Sequence, residues 1–298
     1  MRRLTIILGG LALAVVLLFL VTRPVGLPAG MLPAHTVDIA NGEILFHASG
    51  CASCHASVDA DTEPAILGGG LALDTPFGTF LVPNISPHPD HGIGRWSTLD
   101  FVNAMHLGVS PGGRHYYPAF PYPSYTRMRL EDLMDLKSYL DTLPQAQNPN
   151  QEHDLTFPWN VRAGIGLWKL LNLDPAAVVS VPPDNKDLVR GRYLVEGPGH
   201  CGECHTPRNW SGGLDNSRWL SGAPNPEGEG KVPNITPDEN GLAEWSQRDI
   251  EYYLSSGLTP DFDTVGGSMV EVQANMARLS AEDRAAIAAY LKAVPPLH

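Results

Sequence analysis

Cysteine is scarce in this chain: four among 298 residues, too few to staple a fold of this length with disulfides. Charge is scarce as well, at 17% of residues, and the basic side is the shorter one. Twenty Lys and Arg face 32 Asp and Glu, a formal net charge of −12. Binding a phosphate backbone needs a basic stripe, so the balance argues against nucleic acid as a partner. No convincing alternation of apolar and polar residues marks a strand. There is no Gly-rich phosphate loop, no nucleophile elbow and no His-Glu-x-x-His, so the chemistries those motifs signal are not expected. What the chain does have is 43% apolar residues, which argues against disorder, together with 30 Gly and 27 Pro, which predict long loops. Its length makes two domains the natural prior.

Residues 4–21 form an uncharged run between Met1-Arg2-Arg3 and Arg23-Pro24. These eighteen residues, at about 1.5 Å each, span about 27 Å, close to the hydrocarbon thickness of a bilayer. The basic pair would stay cytoplasmic and place the rest of the chain outside. A cleaved signal is the competing reading, but Leu27-Pro28-Ala29-Gly30 makes a poor cleavage site. The expectation is one transmembrane helix over residues 1–24.

All four Cys fall in two copies of one motif, Cys51-Ala52-Ser53-Cys54-His55 and Cys201-Gly202-Glu203-Cys204-His205. Other landmarks keep nearly the same offset. Val82-Pro83-Asn84-Ile85 returns as Val232-Pro233-Asn234-Ile235, Trp96-Ser97 as Trp245-Ser246, and Glu131-Asp132 as Glu282-Asp283. The period is too long for a solenoid unit and reads as a duplicated domain. The expected units are 36–145 and 186–298, joined by a linker over 146–185. The acid excess divides as −7 and −6 over the two units.

The elements read as helices separated by loops. Ser97-x-x-Asp100, Ser246-x-x-Asp249 and Ser280-x-x-Asp283 each predict a capped helix start. Residues 130–143 show a helical apolar face, 285–294 a shorter one, and 37–48 and 188–195 can each form a helix ahead of a Cys pair. Residues 161–173 are amphipathic. A linker helix packed between the domains is the favoured reading, and a helix lying on a membrane surface is the sharper alternative.

Cys-x-x-Cys-His offers two thiols spaced for the two vinyl groups of haem and an imidazole for its iron, the signature of covalent c-type attachment. A four-Cys zinc site would not explain a His after both pairs, and a thioredoxin-like pair would want a βαβ context. Two haem c groups are therefore expected on Cys51, Cys54, Cys201 and Cys204, with His55 and His205 as proximal ligands. An electron carrier needs a second axial ligand, usually Met or His. Met269, in the loop before the last helix, is the choice in the second repeat, with Met276 as runner-up. In the first repeat the matching position is Phe120, which cannot ligate, and Met128 in the same loop is the choice. Met105 and Met134 read as core residues, while His106 and His115 stay open. Trp96 and Trp245 are expected to wall the haem pockets.

Both repeats resemble class I cytochrome c domains. Val82-Pro83-Asn84-Ile85-Ser86-Pro87, Gly92-Ile93-Gly94-Arg95-Trp96-Ser97, Tyr117-Pro118-Ala119-Phe120-Pro121-Tyr122 and Gly267-Ser268-Met269 are similar to membrane-anchored cytochrome c subunits of bacterial periplasmic dehydrogenases. Some members of that family carry Met where this chain has Phe120. The resemblance implies an all-α fold of two tandem class I cytochrome c domains with long loops, anchored in the bacterial inner membrane with its haems in the periplasm. It implies single-electron relay from a dehydrogenase oxidising alcohols, aldehydes, sugar acids or N-heterocycles. The acceptor would be a soluble cytochrome, a quinone or a terminal oxidase, and the acidic surface suits a basic or neutral partner. The rival reading is a dihaem peroxidase-like enzyme with an open first haem.

Overall fold

The computed structural model describes residues 2–57, 65–225 and 230–298. It begins with the apolar helix α1 (Arg2–Thr22), whose window Thr5–Thr22 has no residue buried inside the protein and meets the rest of the chain at its end, Thr22. The first repeat contains α2 (Ile39–Ala48), α3 (Cys51–His55), β1 (Ala72–Thr75), β2 (Gly78–Leu81), α4 (Thr98–Leu107), α5 (Tyr122–Tyr125) and α6 (Leu130–Leu140). The stretch β3 (Asp154–Leu155) and α7 (Gly164–Asn172) leads to the second repeat. That repeat contains α8 (Lys186–Glu196), α9 (Gly202–His205), β4 (Ala223–Pro224), β5 (Lys231–Val232), α10 (Gln247–Ser256), α11 (Met269–Met276) and α12 (Ala281–Ala293).

Helices dominate, but small sheets correct the expectation of an all-α chain. β1 and β2 pair antiparallel, with Leu73 opposite Phe80, and β3 adds to β2, with Thr79 opposite Asp154. β4 and β5 form a second, two-residue ladder. Strands of two to four residues are too short for a period-two pattern to register in sequence.

The expected helix starts form for the expected reason. Ser97 accepts from Asp100 N at 3.1 Å while Asp100 Oδ2 accepts from Ser97 N, and Ser246 with Asp249 repeats this box. Ser280 accepts from Asp283 N, but the Asp283 carboxylate is turned away to a bidentate pair with Arg190.

In each repeat the helix before the Cys pair crosses the last helix, α2 on α6 and α8 on α12. Glycine makes the crossing close. A Cβ at Gly42 would lie 2.3 Å from Asp135 O, and one at Gly191 would lie 1.9 Å from Ala286 O. Tyr139 and Tyr290 stand at equivalent places across these crossings. Two apolar cores result. Leu45, Leu67, Val102, Leu133 and Leu136 build one, and Leu194, Val195, Trp219, Ile250, Ile287 and Tyr290 the other.

The cores also exchange residues. Tyr193 of α8 packs on the first core, while Ala48 and Ile44 of α2 join the second. The two repeats therefore meet through the helices that lead into their Cys-His motifs. α7 touches both repeats, with Lys169 Nζ donating to Leu107 O and Gly108 O, and Trp168 Nε1 donating to Ser211 O.

Candidate haem sites

The first Cys-x-x-Cys-His motif is the short helix α3, and the second is α9 with Cys201 as its N-cap, so both Cys and the His of each motif lie in about one turn. Burial, joined by the charge of Cys54, pushes the Cys51 thiol up to about 12, and Cys201 is raised to about 12 in the same way beside Cys204. Both are protonated near neutral pH, the opposite of the depressed thiol that redox and nucleophilic cysteines need. The two pairs stay in separate repeats. Among the described residues no group of three or more His, Cys, Asp or Glu side chains converges as a metal cluster.

The imidazoles are fixed by a shared device. His55 Nδ1 lies 2.8 Å from Pro83 O, and His205 Nδ1 lies 2.8 Å from Pro233 O. A carbonyl only accepts, so Nδ1 carries the proton and Nε2 keeps its lone pair. Burial holds both rings below the usual imidazole range, with the carbonyl bond opposing it, and so keeps the ligating form neutral. Such a bond orients the ring and raises its basicity toward iron.

Glycine again permits the approach. Gly69, at φ +66, donates its N–H to His55 O, and a Cβ there would meet Val82 O at 2.5 Å and Pro83 O at 2.6 Å. Gly222, at φ +85, donates to His205 O in the second copy. The conserved offset of Val-Pro-Asn-Ile thus has a purpose that sequence reading missed. The Pro carbonyl holds the His, and Asn84 and Asn234 tie that loop to the chain beyond the last helix, through Ala146 O and Asn148 O in one repeat and Leu297 O in the other. The signal was present as the repeat itself. This donor set, two thiols and one neutral imidazole with a free Nε2 in each copy, fits covalently held haem.

The distal candidates are spread over several elements. Met128 is buried, just before α6, and faces Gly197 of the second repeat. Met269 is the first residue of α11 and half-buried, whereas Met276, the last, is buried in the second core. Met105 is buried on α4 and Met134 packs on the same core from α6, in line with core roles. His115 donates from Nε2 to Thr22 O, which ties it to the end of α1, and His106 Nδ1 is buried with no hydrogen-bond partner among the described residues. Trp96 and Trp245 each pack on the core of their own repeat, and Trp245 lies edge-on to Tyr253.

Each motif is contacted across the seam by the other repeat, and the contacts are reciprocal. Ser124 Oγ donates to Glu203 Oε1 at 2.9 Å, and Asn275 Nδ2 donates to Ser53 Oγ at 2.9 Å. Ser53 and Glu203 hold the same position in the two motifs, so each is gripped by the segment before the last helix of the other repeat. His200, beside Cys201, contacts Ser49 O at 3.3 Å, and the Tyr125 ring packs edge-on to His200 at 5.6 Å.

Comparison with known proteins agrees with this geometry. A cytochrome c family profile matches residues 39–144. A protein described as diheme cytochrome c-type, from Cereibacter sphaeroides, is 53% identical over 279 residues, 93% of this chain and 92% of that one. The chain belongs to the c-type cytochromes. This cytochrome is also 34% identical, over 97% of its length, to the fructose dehydrogenase cytochrome subunit of Gluconobacter japonicus, and 36% identical, over 88%, to the gluconate 2-dehydrogenase cytochrome c subunit of Pantoea cypripedii. It spans only 59% and 60% of those two relatives. Cytochromes of this kind carry single electrons on haem iron, and that is the role the family assigns to this one.

Proposed function

We propose that the cytochrome relays electrons between two haem c groups held in its two repeats. Cys51 and Cys54 attach one as thioethers and Cys201 and Cys204 the other, with His55 and His205 as proximal ligands. The observation that carries this reading is the duplicated His–Pro carbonyl bond, which presents a neutral Nε2 beside two thiols in each repeat. Haem, once bound, supplies the ferric/ferrous couple. The chain's own part is to fix each imidazole by its Nδ1 bond, to exclude water with the two cores, and to hold the motifs together through Ser124–Glu203 and Asn275–Ser53. Met128 and Met269 are the proposed distal ligands, with Met276 as the alternative in the second repeat.

The two repeats are read as tandem class I cytochrome c domains, 36–145 and 186–298, either side of the linker 146–185. α1 is read as an uncleaved anchor in the bacterial inner membrane, with the haem domains in the periplasm. The donor is a periplasmic dehydrogenase subunit; relatives named as cytochrome subunits of fructose dehydrogenase and gluconate 2-dehydrogenase support a dehydrogenase as the partner. A soluble cytochrome, a quinone or a terminal oxidase accepts.

The test is spectroscopic. Intact mass should show two haems per chain, and the ferric protein a far-red methionine-to-iron band. Met128→Ala and Met269→Ala should each remove about half of that band, in line with one thioether per iron. Cyanide or carbon monoxide binding to the protein as isolated would replace the relay with a peroxidase-like site.

A further inference from the structure

α7 is built inside out. A helix on the surface of a soluble domain turns its apolar stripe to the core. Here Leu167, Leu170 and Leu171, spaced i, i+3 and i+4, are 48%, 57% and 59% exposed. The inward face carries Lys169, 9% exposed, with its ammonium 2.6 and 2.7 Å from Leu107 O and Gly108 O and 4.6 Å from the Tyr122 ring centroid. The chain buries a Lys and leaves three Leu outside.

The stripe does not stand alone. Phe157, Trp159 and Val161, just ahead of α7, are exposed, and so is Trp210, whose loop is clipped to α7 through Trp168–Ser211 and Asn209–Asn172. The patch borders the exit of α1. Gly166 packs so closely on the last residue of that helix that a Cβ would lie 2.1 Å from Thr22 O, an oxygen that also accepts from His115 Nε2 at 2.7 Å. Arg23, the next residue, is exposed.

We infer that α7 and its flanking aromatics lie in the headgroup–acyl boundary of the bilayer that α1 crosses, and so set the orientation of the haem domains on the membrane. The occupant follows from continuity. The bare membrane-length surface of α1 ends where the exposed stripe begins, and an in-plane helix with Trp at its edges and Arg nearby suits that depth. The inference rests on the anchor reading of α1.

The test uses the full-length holoprotein in nanodiscs of phosphatidylethanolamine and phosphatidylglycerol doped with a diazirine-acyl phospholipid. Illumination followed by peptide mass spectrometry maps lipid contact. Lipid adducts are expected on α1 and on peptides covering 157–171, and not on α12. The triple variant Leu167→Gln, Leu170→Gln, Leu171→Gln should lose the adducts on 157–171 and keep those on α1. Adducts on α1 alone overturn the inference and leave the anchor standing, and protection of α7 from deuterium exchange by an added dehydrogenase subunit would then name a protein as the occupant. Adducts on neither segment overturn both readings. Adducts on 157–171 in a chain that has lost α1 uphold the surface contact and sink the anchor.

Discussion

Removing one hydroxyl from the seam between the repeats, by Tyr193→Phe, should loosen the two repeats without disturbing either Cys-His motif. Tyr193 OH reaches from α8 to Asp132 Oδ2 in the other repeat. Asp132 is buried and also accepts from Arg129 Nε and Nη2, both at 2.8 Å, and from Asn41 Nδ2 at 2.9 Å. The substitution leaves each carboxylate oxygen with at least one donor, so the cost lies at the lower end for a bond to a charged group, about 1.5 kcal/mol. Asp132→Asn should cost more, since it also breaks the Arg129 pair. In a double-mutant cycle the two should couple by about 1 kcal/mol. Urea unfolding of the holoprotein measures all four corners.

Acid adds a second reading of the same contact. Burial pushes the Asp132 carboxyl up, but the bonds from Arg129, Tyr193 and Asn41 outweigh it and hold the group below its usual range. A depressed carboxyl contributes stability above its unfolded value, about 3.9, and that contribution is lost as pH falls through the lower folded value. Wild type should therefore lose more stability on acidification below about pH 4 than Tyr193→Phe does. Additive costs in the cycle and superimposable acid limbs would refute the role given to Tyr193.

Three further outcomes can be checked. Gly191→Ala should destabilise by about 3 kcal/mol or more, because the new methyl meets backbone at 1.9 Å and α8 must part from α12; calorimetry should show the second repeat melting first. Ser97→Ala and Ser246→Ala should each cost about 1 kcal/mol in the same measurement, and equal losses would reflect their matching capping boxes. Gly69→Ala should displace the Pro83 carbonyl, weaken the His55 bond, make the ligand less basic and raise the midpoint potential of one haem only; a redox titration that leaves both potentials unchanged would count against the His–Pro device.

Much of this was legible in sequence because it is local. Cys51-x-x-Cys54-His55 is one helical turn, and Ser97 and Ser246 find their Asp partners three residues on, so spacing alone announces them. The purpose of Pro83 was not legible, since its carbonyl meets a His 28 residues earlier and only the repeat hinted at it. The strands escaped notice by their brevity. The amphipathic period of 161–173 was readable, but a period says that two faces differ and not which one meets the protein. Lys169 buries its charge on backbone carbonyls that no pattern reveals, and so the stripe faces outward. The interface was invisible for a similar reason: Tyr193 and Asp132, 61 residues apart, look in sequence like ordinary members of two surface helices.

The reciprocal grip between the repeats has the form of an isologous dimer, in which patch and partner patch are the same surface. In a true homodimer the two halves of such a contact must be chemically identical. Fusing the copies into one chain lifts that requirement, and the halves have diverged. On one side a Tyr hydroxyl meets a buried carboxylate across the seam; at the matching place on the other side stands Ile44, and the corresponding Asp283 is neutralised by Arg190 within its own repeat. Symmetry would force two like sites to share one electron affinity. Its breakage at the seam leaves the two repeats free to differ in a way that no pair of identical subunits could.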